Sequence, residues 1–542
     1  TDHAEQLGEV RVCSTPELPG YGSLMCRLYR WWPRAAFYLM NMRSCNSTDP
    51  KRFGFCGEGG RRCLDAALTQ WREIQAAAEA AYDRTEACSF TTFVGYEWSA
   101  SPNTNNLHRN VIFRNDRVTR LPISYYEAKT PEDLWRQLRR ECLDRGDGCE
   151  LVTIPHNSNL SGGLMFQTLM SDGTPFTAEY ARERNRMEPL AEIMQHKGDS
   201  ECLFGAGNED ELCGFEKLPY DNFRAEFFPS LFPSPPKPVD FVRNALEKGL
   251  EQEALLGTNP FKYGLIASTD THLGTPGAVD ERNHVGHGGA GAPADKRVPP
   301  GLPDNLEFNP GGLAVLWAEE NTRDSLFAAM KRREAYGTSG PRIVVRLFGG
   351  WSYPADMCDS RSFVETGYAE GVPMGSDLPP PPTPGASPRF AVWAQQDAGT
   401  EDRPGTPLQR IQIIKGWLDA EGTHERVYDV AGDPNSDAGV DPLTCETFGE
   451  GFPELCTVWT DPDFDPRERA FYYARVIENP TCRWSAYICN AHGVNCADPS
   501  TIGEGLAPCC APEHRWSIQE RAWTSPIWYV PATAASRRKG GD

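Results

Sequence analysis

Apolar residues recur at helical spacing through LDAALTQWREIQAAAEAAYDR, residues 64–84, and the chain then turns to the β-rich run FTTFVGYEWSA. The same change of period returns three times. PEDLWRQLRREC precedes CELVTIPHNSN, FTAEYARERNRM precedes AEIMQHKGD, and FVRNALEKGLEQEALLG precedes KYGLIASTDTHLG. Helix-then-strand units repeated in this way predict an α/β fold, with parallel strands in a sheet or barrel and helices outside. After DSLFAAMKRREAYGTSG the pattern shortens to RIVVRLFGG, RFAVWAQQ, RIQIIKGWLD, ERVYDVAG and AFYYARVIE, strand-like runs divided by turns and without a long helix. A boundary near residue 340 follows, dividing a barrel-like unit, 1–340, from a β-rich, sandwich-like unit, 341–542. The tract DLPPPPTPGASP falls inside the second unit and reads as a stiff surface loop.

Bulk composition narrows the picture. The 542 residues are too many for one ordinary core, and 39% hydrophobic residues with 14 Trp and 25 Phe suffice to fill two. A formal charge of −21 repels phosphate backbones and anionic lipid, so neither nucleic acid nor a membrane is expected as a partner. No stretch approaches the roughly 20 apolar residues that span a bilayer.

Eighteen cysteines are many for a cytosolic protein, and no paired C-x-x-C sets point to zinc. They cluster, and CGEGGRRC, CLDRGDGC and the Cys202 to Cys213 stretch read as loops each closed by a bridge. Local disulfides imply an oxidising compartment, so the expected location is periplasmic or secreted.

Chemistry gathers at the strand ends. His3 lies in TDHAE, Glu97 in GYEWS, His108 in NNLHRNVIF, His156 in IPHNSN, His196 in IMQHKGD, and Asp270 with His272 in STDTHLG. The carboxyl ends of parallel barrel strands converge on one face, so ligands distant in sequence meet there. Alternate residues of a strand project to the same side, which makes the D-x-H the sharpest of these signals. Imidazoles with carboxylates suit Zn, Mn or Fe, and a set of this size accommodates two or three divalent ions. Arg109 and Asn110 follow His108, and Asn157 follows His156, so their donors are candidates to steady an anionic oxygen. Arg332, Arg333, Ser339 and Arg342 form a weaker basic set, and DERNHVGHGGAGAPADKRVPPG, with His284 and His287, suits a lid.

The order TDH, GYEWS with a His eleven residues after its Glu, PHN, QH and STDTH resembles the polymerase-and-histidinol-phosphatase (PHP) metallohydrolases. FTTFVGYEWS, EIMQHKGDSEC, GLIASTDTHLG, ENTRDSLFAAMKRREAYGTSGPR, IQIIKGW and IQERAWTSPIWY resemble, more narrowly, the PHP-like family called domain of unknown function 3604, across nearly the whole chain. The resemblance implies a distorted (β/α)7 barrel with metal ions at its carboxyl-end face, held by the seven strand-end residues from His3 to His272. It also implies an earlier strand reading G-D-L-H-x-H, so that TDH is the second metal motif and the sequence as given starts after the first.

The expected chemistry is hydrolytic: a water between two ions loses its proton near neutral pH and attacks phosphorus or a carbonyl carbon. A small, anionic ester is the expected substrate, a phosphomonoester, phosphodiester or phosphonate ester on the resemblance, with carbamates, carboxylic esters and amides as the alternative. A non-catalytic protein whose ions only hold the fold together is the reading from a different class, and it requires a closed coordination shell.

Overall fold

The computed structural model describes residues 1–45, 47–205, 209–224, 234–287 and 301–531. Most of the glycine-rich stretch read as a lid, 288–300, lies outside them. Four helices open the chain: α1 (Leu7–Ser14), α2 (Leu24–Trp31), α3 (Pro33–Cys45) and α4 (Arg61–Ala81). Disulfides Cys13–Cys26 and Cys56–Cys63 pin them around a small apolar cluster with Val12 and Ala66.

Strands β1 (Val94–Trp98), β2 (Arg109–Phe113) and β3 (Leu151–Pro155) form an antiparallel sheet in that order. Helix α5 (Pro131–Glu141) starts at Thr130, whose side chain accepts the Asp133 amide. Helix α6 (Ala178–Met187) starts the same way at Thr177 and leads into β4 (Leu190–Gln195). The short β5 (Gly198–Asp199) turns back on β4, and β6 (Gly264–Ala267), preceded by helix Val242–Leu256, lies parallel to it.

The helix-and-sheet mixture and the β-rich carboxyl-terminal third follow the sequence pattern, but the strand directions do not. No closed barrel forms among the described residues, and the only parallel pairing between named strands is β4 with β6. The physical cause at β1 and β2 is the connection, residues 99–108, which lacks a crossover helix and returns the chain antiparallel. Antiparallel β2 leaves β1 and β3 pointing the same way, so the carboxyl ends of β1 and β3 and the amino end of β2 share one edge.

Two further sheets follow. The larger has the order β13 (Thr423–Gly432), β12 (Leu408–Leu418), Arg469–Glu478, Arg521–Thr524, β8 (Ala335–Thr338), β7 (Leu313–Leu316). The smaller joins β10 (Gly371–Pro373), β9 (Val344–Gly350), β11 (Arg389–Gln395) and Glu454–Thr460. Leu347, Phe390 and Val392 of the smaller sheet share one buried cluster with Ile411, Ile413 and Tyr472 of the larger. Neighbouring residues face the other way: Ile414, Phe471 and Tyr473 enter the core that also buries Tyr96, Trp98 and Leu246. The period of two along these strands thus sends alternate side chains into two cores.

Eight disulfides form. The short loops close as expected, at Cys56–Cys63, Cys142–Cys149 and Cys202–Cys213. Local pairing is not the whole pattern, because Cys358–Cys456 spans 98 residues and joins the ends of distant segments. Among the described residues no helix is long and apolar enough to cross a membrane.

Candidate metal centre

Strand alternation explains how a carboxylate comes to be buried on β1. Val94, Tyr96 and Trp98 enter the apolar core, which leaves Glu97 on the opposite face. The amino-terminal segment runs beside it: the Ala4 amide donates to Glu97 O (2.9 Å) and the Glu97 amide to Asp2 O (2.8 Å). Glu5 holds that segment down by accepting the amides of Tyr125 (2.7 Å) and Ser99 (3.1 Å).

Three imidazoles surround the Glu97 carboxylate. His108 Nδ1 lies 2.8 Å and His3 Nδ1 3.1 Å from Oε1, and His156 Nε2 lies 3.4 Å from Oε2. Ser99 Oγ donates to Oε1 (2.8 Å), and Ser101 Oγ meets His108 Nε2 at 2.8 Å. His108 precedes its strand, and it reaches this cluster because β2 is antiparallel and begins where β1 and β3 end.

A second group adjoins the first. His3 Nε2 lies 3.2 Å from His272 Nε2, and His196 Nε2 lies 3.4 Å from Asp270 Oδ2. The rings of His196 and His272 are 6.3 Å apart. Asp270 sits at φ 48°, a left-handed conformation that costs a non-glycine residue about 1–3 kcal/mol. The turn is thus held in an unfavourable shape at the point where the D-x-H faces the cluster.

All seven strand-end residues therefore meet in one place. Of the donor candidates, Asn157 belongs to its wall: its amide donates to Glu192 Oε2 (3.0 Å). Arg109 is committed elsewhere, with Nε 2.6 Å from Glu188 Oε1, and Asn110 accepts the Thr1 hydroxyl. Arg332, Arg333, Ser339 and Arg342 bond to Glu334, Lys262, Glu520 and Asp397.

Sequence reasoning passed over Glu192 and Lys197. Glu192 on β4 takes the Asn157 amide after β3 and the Ser268 hydroxyl after β6, and it stands 3.8 Å from His156 Nδ1. It staples three strand ends together. No signal in the sequence marks it, because β4 is buried throughout and an irregularity between Glu192 and Met194 interrupts its alternation. Lys197 Nζ stands 2.7 Å from Asp270 Oδ2 and 2.8 Å from His196 Nε2. An ammonium there engages the same lone pairs that an ion would use.

Electrostatics polarise the cluster. Burial opposes the charge on His3, yet Glu97 outweighs it and carries the imidazole up to about 9. Burial takes His108 and His272 down to about 4, holds His196 well below its ordinary value, and pushes Glu192 up to about 7. Burial alone would raise Glu97, but His3, His156 and His108 hold it well below the usual carboxylate range. Asp270 is held down likewise, against burial, by Lys197 and His196.

The residues fit a metal ion by one direct observation. Both ring nitrogens of His156 and Nδ1 of His196 are buried without a hydrogen-bond partner, an arrangement that is rare unless an ion or water supplies the contact. His3, Glu97 and His108 also bring their ligand atoms within 4.8 Å of one another. Among the described residues the two other groups with that spacing, around Cys56 with Cys63 and Cys202 with Cys213, have their sulfurs in disulfides.

Residues 1–531 match the family described as protein of unknown function (DUF3604), and the chain belongs to it. No curated protein and no solved structure matches the chain.

Proposed function

We propose that this chain is a metal-dependent hydrolase of small anionic esters, with phosphoesters as the substrate class. The observation that carries the reading is the set of five histidines and two carboxylates with orphaned nitrogens on His156 and His196. His3, Glu97, His108, His156, His196, Asp270 and His272 would hold two or three ions of Zn, Mn or Fe character. Bound there, such ions supply Lewis-acid polarisation of the ester and a water acidified to near neutral pH.

The chain's own residues do the positioning. Ser101 holds His108 by Nε2, which turns Nδ1 toward the Glu97 carboxylate. Glu192 fixes the Asn157 turn and faces Nδ1 of His156, so that Nε2 points to Glu97. Lys197 is the cation beside Asp270 and the group that an anionic substrate oxygen meets. The family resemblance of the motifs favours phosphorus over carbon, and a PHP-type arrangement of the strand ends is part of the same proposal. Eight disulfides support a periplasmic or secreted location.

Metal analysis of the purified chain, followed by a panel of phosphomonoesters, phosphodiesters, carboxylic esters and carbamates, tests the reading. Bound Zn, Mn or Fe with phosphoester turnover that a chelator abolishes is expected. Turnover of carboxylic esters or carbamates alone would overturn the phosphorus assignment, and stoichiometric metal without turnover of any ester would overturn catalysis.

A further inference from the structure

His287 is the one histidine touching this cluster that the function above leaves unused. Its ring stacks on His196 with centroids 3.7 Å apart and planes 24° from parallel. Its carbonyl accepts the His272 amide at 3.0 Å. His287 thereby contacts both sides of the Asp270 group from a loop that belongs to no strand. The ring does not float there: Nδ1 lies 2.7 Å from Asp304 Oδ2, and the His287 amide donates to the same oxygen at 3.2 Å. His284 Nε2 lies 3.5 Å from that same oxygen, and Phe308 packs edge-on against His287 with centroids 5.1 Å apart.

The local chain is shaped for this contact. Gly286 sits at φ +82°, and a Cβ on it would fall 2.6 Å from Pro303 O. Only glycine brings the two segments close enough for Asp304 to reach the next residue's ring. Asp304 is nearly buried, 8% exposed at the side chain, so its charge is expensive unless opposed. A carboxylate gripping one imidazole nitrogen fixes the tautomer and leaves the other nitrogen as a lone-pair donor, the arrangement by which proteins orient histidine ligands of metals.

We propose that His287 is the sixth histidine of the centre, a ligand nitrogen oriented by Asp304 and shared with the ion that Asp270 and His272 hold: its ring lies 6.1 Å from that of His272 at 72°, whereas the face-to-face stack keeps its lone pair from converging with that of His196. The inference rests on the metal-dependent reading above and adds a ligand from outside the strand ends.

The test is titration of the apo protein with Zn(II), and separately with Co(II) to record the ligand-field spectrum, in the wild type, His287→Ala, His287→Gly, Asp304→Asn and His284→Ala. For one ion, His287→Ala weakens binding at least tenfold and shifts the cobalt bands. Asp304→Asn weakens the same ion by roughly 10- to 100-fold, the range for a lost orienting partner. Imidazole added to His287→Gly restores the cobalt spectrum, which a merely structural loop residue would not allow. His284→Ala, with Asp304 still on His287, leaves the spectrum unchanged. Wild-type spectrum and affinity in His287→Ala, while Glu97→Gln loses metal, would overturn this inference and leave the centre standing. A wild type that binds neither ion would overturn the centre and this ligand with it.

Discussion

Two of the buried charge clusters among the described residues differ in how their charges are matched. In the cluster joining helix Val242–Leu256 to the larger sheet, Arg243 and Arg475 face Glu201 and Asp210 at 2.6–3.1 Å. Tyr473 OH and Trp523 Nε1 donate to Glu201 at 2.6 and 2.7 Å, and Gln412 Oε1 accepts from Arg475. The two guanidiniums meet these two carboxylates, Arg243 also donates to Glu425 at 3.4 Å, and Tyr473 and Trp523 are neutral donors to Glu201. Around Glu97 and Asp270, by contrast, five imidazoles share two carboxylates, and both ring nitrogens of His156 and Nδ1 of His196 are buried without a hydrogen bond. A buried polar group without a partner costs about 1–3 kcal/mol. The difference separates a cluster that the fold completes for itself from one in which it leaves buried ring nitrogens without a hydrogen bond.

The largest expected effect comes from breaking the incomplete cluster. Glu97→Gln removes the charge that three histidines share, and metal affinity should fall more than about 100-fold, beyond the loss typical of an orienting residue. Hydrolysis should fall with it, and the midpoint of apo unfolding should stay near the wild type. Elemental analysis and calorimetry of the same samples read both quantities.

Breaking the complete cluster should do the reverse. Arg475→Met leaves Glu201 and Asp210 in the interior with Arg243 as their one remaining guanidinium of this cluster and is expected to cost about 3–5 kcal/mol in urea unfolding. Metal affinity of the folded fraction should remain within about twofold. If Arg475→Met released the metal as readily as Glu97→Gln, the two clusters would be one network and the contrast would fail.

A smaller effect follows from the bridge that holds Asp210 in place. Cys202–Cys213 closes a short loop around that residue, and the paired Cys→Ala variant should lose about 2–3 kcal/mol without change at the metal centre. Equal stability of the variant and the wild type would show that Arg243 and Arg475 alone position Asp210.

The last effect is on pH dependence, and it concerns a further acid outside both clusters. Burial pushes the Glu520 carboxyl from its ordinary 4.5 up to about 8, with Glu478 and Glu216 adding repulsion against the Ser339 hydroxyl. The folded state therefore prefers the protonated form. Its contribution is complete below about 4.5 and is lost as pH rises through about 8. Melting temperature should decline between pH 5 and 9, and Glu520→Gln should flatten that decline. An identical slope in the variant would assign the dependence to other groups.

Much of the centre was legible before any coordinates. Six of its seven strand-end residues stand in a short polar segment beside an apolar run, Glu97 stands between Tyr96 and Trp98 inside one, and the D-x-H carries its chemistry in three residues. Glu192 was not legible, because a carboxylate inside a strand buried throughout looks like any structural acid until Asn157 and Ser268 are seen to meet it. His287 was legible only as a loop histidine, since its meaning depends on Asp304, seventeen residues on, and on His196 across the site.

Local order was settled by the chain alone. Periods of 3.6 and 2, Thr130 and Thr177 as helix caps, and cysteines seven or eleven residues apart all act over a few residues, where neighbours in sequence are neighbours in space. Strand direction, the Cys358–Cys456 bridge and the partner of each imidazole were decided only by tertiary packing. The physical reason is that these pairings join segments tens to hundreds of residues apart. A strand's own pattern of apolar positions is the same whichever way its neighbour runs, so only the packed connections and cores select between the alternatives.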